Sequence, residues 1–247
     1  MKKAILAGLV GISLAACAAS AQAEPGAAIV AAVADAKRPA ADTARDAARK
    51  PAEIVDFAGV KPGDKVAEMI PGGGYYTRIL AKTVGPTGHV YLLVPPFFAQ
   101  RPGGLDGVNA LAAEYGNVSV LVGDLAAISL PEKVDLVWTT ENYHDMHNGP
   151  SPNPGGVNTA AFNALKPGGI YFVEDHSAGA GVGATVSSTL HRIEPATAAA
   201  EVEAAGFTLE ASSDLLKNPD DAHNVPVFDP SIRGESDKFA MRFRKPK

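Results

Sequence analysis

Cysteine is almost missing from these 247 residues: the one present, Cys17, lies in the N-terminal stretch, so no disulfide framework can form. Tryptophan also occurs once, and the apolar run from Ala4 to Ala16 is too short to cross a membrane as a helix. Positive charge is in the minority, with 22 Lys and Arg against 27 Asp and Glu and a formal net charge of −5. That balance argues against a phosphate-backbone binder, so no nucleic-acid partner is expected. Repeats and low-complexity linkers are absent too. What the chain has is 46% hydrophobic and 20% charged residues, a globular composition, with 25 Gly and 19 Pro to turn between many short elements.

Lys2 and Lys3 precede the Ala4–Ala16 run, the arrangement of a secretory leader over residues 1–23. Ala21-Gln22-Ala23 before Glu24 is a small-residue cleavage site, while Leu14-Ala15-Ala16-Cys17 resembles a bacterial lipobox, in which case Cys17 carries lipid. Either reading predicts an exported protein, periplasmic or held at the membrane by a lipid anchor. The remaining chain has no cysteine and a formal charge of −7 once the two lysines are gone, which suits an oxidising compartment.

An Ala-rich lead, residues 24–36, precedes a single domain over 37–247. Residues 42–50 read as one covering helix and 51–58 as a second, begun by Pro51 and stopped by Gly59. From Lys65 onward short apolar runs alternate with helical patterns, the signature of a parallel sheet with helices on both faces. The strands fall at 65–70, 89–94, 118–122, 134–140 and 169–174, with helices near 77–84, 108–114, 157–165 and 196–205. Two further strand-like segments, 207–212 and 238–244, flank a polar loop and suggest a closing antiparallel pair.

Ligands of an open α/β sheet bind beyond the carboxyl ends of the strands. The first strand runs into Glu68-Met69-Ile70-Pro71-Gly72-Gly73-Gly74-Tyr75-Tyr76-Thr77, a glycine turn leading into a helix, where the backbone can approach a ligand closely. Val122-Gly123-Asp124 ends the third strand in an acid, which could serve a ligand or simply cap the next turn. Leu165-Lys166-Pro167-Gly168-Gly169 turns into the fifth. These features resemble the class I S-adenosylmethionine-dependent methyltransferases. The stretches Pro71–Arg78, Asn142-Tyr143-His144-Asp145 and Leu190-His191-Arg192-Ile193 are similar to a bacterial, often exported family of methyltransferases. The resemblance implies a Rossmann-like seven-stranded sheet, mostly parallel with an antiparallel last strand, and S-adenosyl-L-methionine as cofactor. It further implies that Glu68, Gly72, Gly73 and Gly74 line the methionine and ribose end, that Asp124 meets the adenine amino group, and that Glu141 also binds the cofactor. The chain departs from the family in two places. Ile70 stands where a further glycine is usual, and a β-branched residue is not expected to take its positive φ. The second strand ends Leu93-Val94-Pro95-Pro96-Phe97-Phe98, without the usual ribose-binding acid, leaving Gln100 or a backbone carbonyl as the acceptor.

The densest chemistry follows the fourth strand, in Glu141-Asn142-Tyr143-His144-Asp145-Met146-His147-Asn148, with Glu174-Asp175-His176 after the fifth and His191-Arg192 beyond a glycine-rich loop. Four of the six histidines are expected on one rim. Tyr143 and His144 would position a small-molecule methyl acceptor, and His176 or His191 would take its proton, with Asp145 or Asp175 orienting a ring. The same residues leave two other readings open: zinc or another divalent ion held by His144 and His147 with His176, His191 and nearby carboxylates, His144, His147 and His176 foremost, or a non-catalytic exported binding protein on this fold.

Overall fold

The computed structural model describes residues 24–149 and 152–247; the leader, with both of its cleavage readings, lies outside them. Seven short apolar runs become strands: β1 Lys65–Met69, β2 His89–Val94, β3 Val118–Val122, β4 Val134–Thr140, β5 Leu165–His176, β6 Thr208–Ser213 and β7 Lys238–Arg244. They form one sheet in the order β3-β2-β1-β4-β5-β7-β6. The pairings through β5 are parallel, and β7 runs antiparallel to both β5 and β6. This is the expected seven-stranded, Rossmann-like methyltransferase sheet.

Side chains of successive strand residues point to opposite faces, so each central strand feeds two cores. In β4, Leu136 and Trp138 enter one core and Val137 the other. The Trp138 ring lies 4.9 Å from Tyr76 and 4.3 Å from Phe172. Helices α1 (Ala27–Val33), α4 (Pro51–Ala58), α5 (Tyr75–Val84) and α7 (Asp106–Glu114) pack on the Trp138 face. Helices α8 (Pro154–Ala164) and α10 (Pro195–Ala204) pack on the other. No helix among the described residues is long and apolar enough to cross a membrane.

Three local expectations are corrected. The Ala-rich lead contains a helix, α1, that buries Ile29 and Ala32 against the sheet's helical layer. The first covering helix splits into α2 (Ala40–Thr43) and α3 (Asp46–Arg49). Asp42 explains part of this, since it answers Arg45 at 2.7 Å and Arg78 on α5 at 2.8 Å rather than sitting on a continuous solvated face. And β5 begins at Leu165, not after the Lys166-Pro167-Gly168 turn, with an irregularity in register opposite Val134 and Leu136.

Strand order runs outward in opposite directions from β1 and β4, which makes their carboxyl ends the switch point where the connections diverge and a crevice opens. The residue after each of these strands, Ile70 (φ 51°) and Glu141 (φ 55°), is left-handed. Ile70 therefore does adopt the positive φ that its β-branch disfavours. Its N–H donates to Leu93 O at 3.0 Å and its carbonyl accepts from Asn142 Nδ2 at 3.2 Å, so tertiary hydrogen bonds override a local preference worth about 1–2 kcal/mol.

Candidate functional site

Beyond the carboxyl edge lies an open crevice of about 1240 Å³. Its walls come from the segments that follow successive strands: Ile70 after β1, Pro95–Phe98 and Gln100 after β2, Asp124 after β3, and Asp145 and Met146 after β4. His191 closes one side. Phe97 is half exposed at the lip, and Arg101 stacks on its ring at 4.6 Å.

On the β1 side, Gly72 (φ 56°) and Gly74 (φ 81°) need the conformational freedom of glycine to turn the chain into α5. A side chain at Gly72 or Gly73 would enter open space, whereas one at Gly74 would strike Leu111. Glu68 lies beneath this turn, only 2% exposed, and accepts from Thr77 Oγ1 at 2.6 Å. Burial pushes its carboxyl up to about 8, so it is neutral at pH 7. Glu141 pairs with Arg49 of α3 and lies 3.8 Å from Lys238 Nζ. Arg49 in turn stacks on Tyr75 at 4.7 Å, closing the covering helices over this end of the edge. Glu174, on β5, is fully buried beside Glu141; burial first, then that neighbouring charge, raise its carboxyl to about 8.

The residues after β4 and β5 form a relay. Asp175 is fully buried and accepts from the backbone N–H of His144 at 2.6 Å and of His176 at 2.7 Å, and from His144 Nδ1 at 2.8 Å. With its Nδ1 proton given to Asp175, His144 turns the lone pair of Nε2 toward His191 Nδ1, 3.3 Å away, and so toward the crevice. Burial alone would lower the His144 pKa, but the charge and hydrogen bond of Asp175 outweigh it and hold the ring above its ordinary value. His191 sits in a left-handed conformation (φ 54°) with the Phe228 ring 4.8 Å from its own. Behind it, fully buried Arg192 pairs with Asp221 at 2.7 Å and donates to the Ser177 and Val225 carbonyls, anchoring the polar loop against this side of the site.

The four rim histidines thus divide. His144 and His191 meet at the crevice. His176 lies beside them, its ring 6.2 Å from that of His144, but Nδ1 is bound to Ser236 Oγ at 2.8 Å and burial drives its pKa down to about 3. His147 turns away to Glu201 at 3.1 Å. Tyr143 is fully buried, donating to Glu201 at 3.0 Å and accepting from Asn158 at 2.7 Å, so it braces the loop from behind. Of the expected metal ligands, His147 and His176 do not converge with His144; His191 and a nearby carboxylate do, in the group His144, Asp145 and His191. Asp124 caps the following turn, accepting from Ala126 N–H at 2.9 Å through one oxygen, while also lining the crevice. Sequence gave no sign of the partners that fix these orientations, Ser236, Glu201 and Phe228, which lie far along the chain.

These residues fit an adenosyl group at its nucleoside end. Asp124 keeps a second carboxylate oxygen for an exocyclic amine, Phe97 and Phe98 offer ring faces, and the Gln100 side chain lines the crevice where the usual acid is missing. Of the other residues expected at the cofactor, Glu68, Gly72, Gly73, Gly74 and Glu141 do not line the crevice: Gly72 and Gly73 border open space beside it, and Glu141 is half-buried in its pair with Arg49.

The fold is that of the class I S-adenosylmethionine-dependent methyltransferases. A methyltransferase of this kind from Aquifex aeolicus superposes with a TM-score of 0.57 at 18% identity, over 78% of this chain and 87% of that one. The [4+2]-cyclase SpnF superposes with a TM-score of 0.59 at 15% identity, over 86% and 84%. No family model matches the chain. In sequence it is similar to the protein-L-isoaspartate O-methyltransferase of Ignicoccus hospitalis, 43% identical over 74 residues covering 30% of this chain and 33% of that protein. The enzyme of the same name from Hyperthermus butylicus is 33% identical over 132 residues, 48% and 47% of the two chains. The chain thus spans between a third and half of the length of these relatives, which are archaeal rather than bacterial.

Proposed function

We propose that the protein is an S-adenosylmethionine-dependent methyltransferase whose acceptor loses a proton to the His191–His144 pair. The observation that carries this is the Asp175–His144–His191 relay, which ends in the crevice at the switch point of a methyltransferase fold. Asp124, Gln100 and the Phe97 and Phe98 faces hold the nucleoside, and Glu141 receives the ammonium once Arg49 yields to it. The cofactor supplies a methyl group already activated on a positive sulfur, so the protein's work is alignment, desolvation and proton removal. Asp124, Gln100 and the Phe97 and Phe98 faces would hold the cofactor as its methyl carbon passes to the acceptor heteroatom and the electron pair of the carbon–sulfur bond stays on sulfur. The acceptor's proton passes to His191 Nε2, and the Nδ1 proton of that ring moves to His144, whose imidazolium is stabilised by Asp175. His176, neutral and engaged with Ser236, is a poor base by comparison.

The acceptor proposed is a small molecule bearing an ionisable O–H, N–H or S–H, suited to a concave site with aromatic walls. The names of the relatives favour one other reading, a protein carboxylate. The two differ in a measurable way, because a carboxylate is already ionised at pH 7 and needs no base. Titration with S-adenosylmethionine and S-adenosylhomocysteine comes first, on the wild type and on Gly73→Val. Since a Cβ at Gly73 has no protein atom within 4 Å, binding lost in a stably folded Gly73→Val protein identifies the cofactor cradle. No binding to the wild type defeats the proposal. Once turnover is observed, loss of kcat in His191→Asn supports a protonated acceptor, and unchanged kcat supports a carboxylate. We further infer export from the leader; the mass of the mature protein separates cleavage before Glu24 from a lipid on Cys17.

A further inference from the structure

We propose that His144, Asp145 and His191 form a binding site for a divalent transition-metal ion, with one coordination position open to the crevice. His144 Nε2 lies 3.3 Å from His191 Nδ1 and 3.4 Å from Asp145 Oδ1, and one donor atom from each residue lies within 4.8 Å of the others. Ligands bound tetrahedrally to zinc at 2.0–2.1 Å are spaced by roughly 3.3–3.4 Å, so two of the three edges already have that length.

The contacts among the three groups can accommodate a cation. Asp175 accepts from Nδ1 of His144, which turns Nε2 toward the carboxylate of Asp145. Asp145 Oδ1 also accepts from Asn148 Nδ2 at 2.9 Å, which holds it in place, and one ion would be shared by that oxygen and the two imidazole nitrogens. Asp175 is placed as the carboxylate behind a metal-bound histidine, fixing its tautomer and its orientation. The backbone holds the His191 imidazole here in a left-handed conformation that a histidine adopts at a cost, with Phe228 packed on the ring. Two nitrogens and one oxygen suit zinc, and three protein ligands leave a fourth position for water or substrate. Asp145 and His191 both line the crevice, which is where that position faces.

The site does not depend on the methyltransferase reading. If both hold, the ion binds the acceptor heteroatom directly and favours loss of its proton to solvent, and the imidazoles serve as ligands instead of bases.

The test is titration of chelator-stripped, untagged protein with Zn²⁺ against a chromophoric indicator, and with Co²⁺ followed by visible absorption. The expected result is one equivalent bound, with the absorption bands of a low-coordinate cobalt site. His191→Asn, whose side chain tolerates the left-handed backbone, is expected to weaken binding by more than about 100-fold, and Asp175→Asn by about 10–100-fold. His147→Gln is expected to leave it unchanged. Absence of stoichiometric binding, or equal binding in His191→Asn and Asp145→Asn, overturns the proposal, as does loss in His147→Gln alone. S-adenosylhomocysteine titrated into the same metal-free sample reads the cofactor proposal separately.

Discussion

Glu68 offers a stability test whose sign follows from its surroundings. Its carboxyl is 2% exposed, its one side-chain partner is the Thr77 hydroxyl, and burial raises its pKa from 4.5 to about 8. Between those values the folded protein holds a proton that the unfolded chain has released, so stability falls as pH rises through the window and levels off above it. At about 1.4 kcal/mol per pH unit, a gap of roughly 3.5 units places an upper bound of about 5 kcal/mol on the loss. Glu68→Gln removes the ionisation while keeping the shape and an acceptor for Thr77. Urea unfolding at pH 5, 7 and 9 is expected to find the two proteins within about 1 kcal/mol at pH 5. At pH 9 Glu68→Gln should be the more stable by about 2–4 kcal/mol, or roughly 4–16 °C in Tm. Glu174, raised for similar reasons, is present in both proteins and cancels in the difference. A difference that stays constant from pH 5 to 9 would refute the reasoning.

The His176 ring, with its pKa near 3, is expected to show no protonation step by NMR between pH 8 and 4.5; a midpoint above 5.5 contradicts its burial against Ser236. Because the unfolded chain binds that proton near pH 6.5, this residue's contribution to stability declines as pH falls from about 6.5 toward 3. Asp175→Asn should bring the His144 pKa down, since its opposing charge is what holds it up; an unchanged titration would show that Asp175 does not govern the ring. Arg192→Met leaves Asp221 buried without its partner and should cost about 3–5 kcal/mol in urea unfolding, where a loss under 1 kcal/mol would show the pair to be dispensable. Gly74→Ala should destabilise by about 1–3 kcal/mol and Gly73→Ala by far less, because only the first meets both a positive φ and Leu111.

The central strands are legible because they are short apolar runs bounded by glycine, proline or a charge, and β2, β3, β4 and β7 begin and end where the pattern does. β5 was read short because Lys166-Pro167-Gly168 carries the local marks of a turn, while pairing with β4 extends the strand through it. Ile70 was misjudged for the same reason in reverse: its side chain speaks against a left-handed backbone, and hydrogen bonds to Leu93 and Asn142 decide otherwise. The rim histidines were placed on the right loops by strand order alone. Their directions depend on Asp175, Glu201 and Ser236, which lie 31, 54 and 60 residues from their partners, and no local periodicity carries that information.

The position of β7 sets an order of events for the chain itself. It is the seventh strand in sequence but the sixth in space, inserted between β5 and β6, and β6 touches the sheet only through it. During synthesis, then, β6 emerges before the strand it pairs with, and the two strands beyond β5 close the sheet only after Lys238–Arg244 has left the ribosome. Until that moment the polypeptide is held short of its native state by its own connectivity.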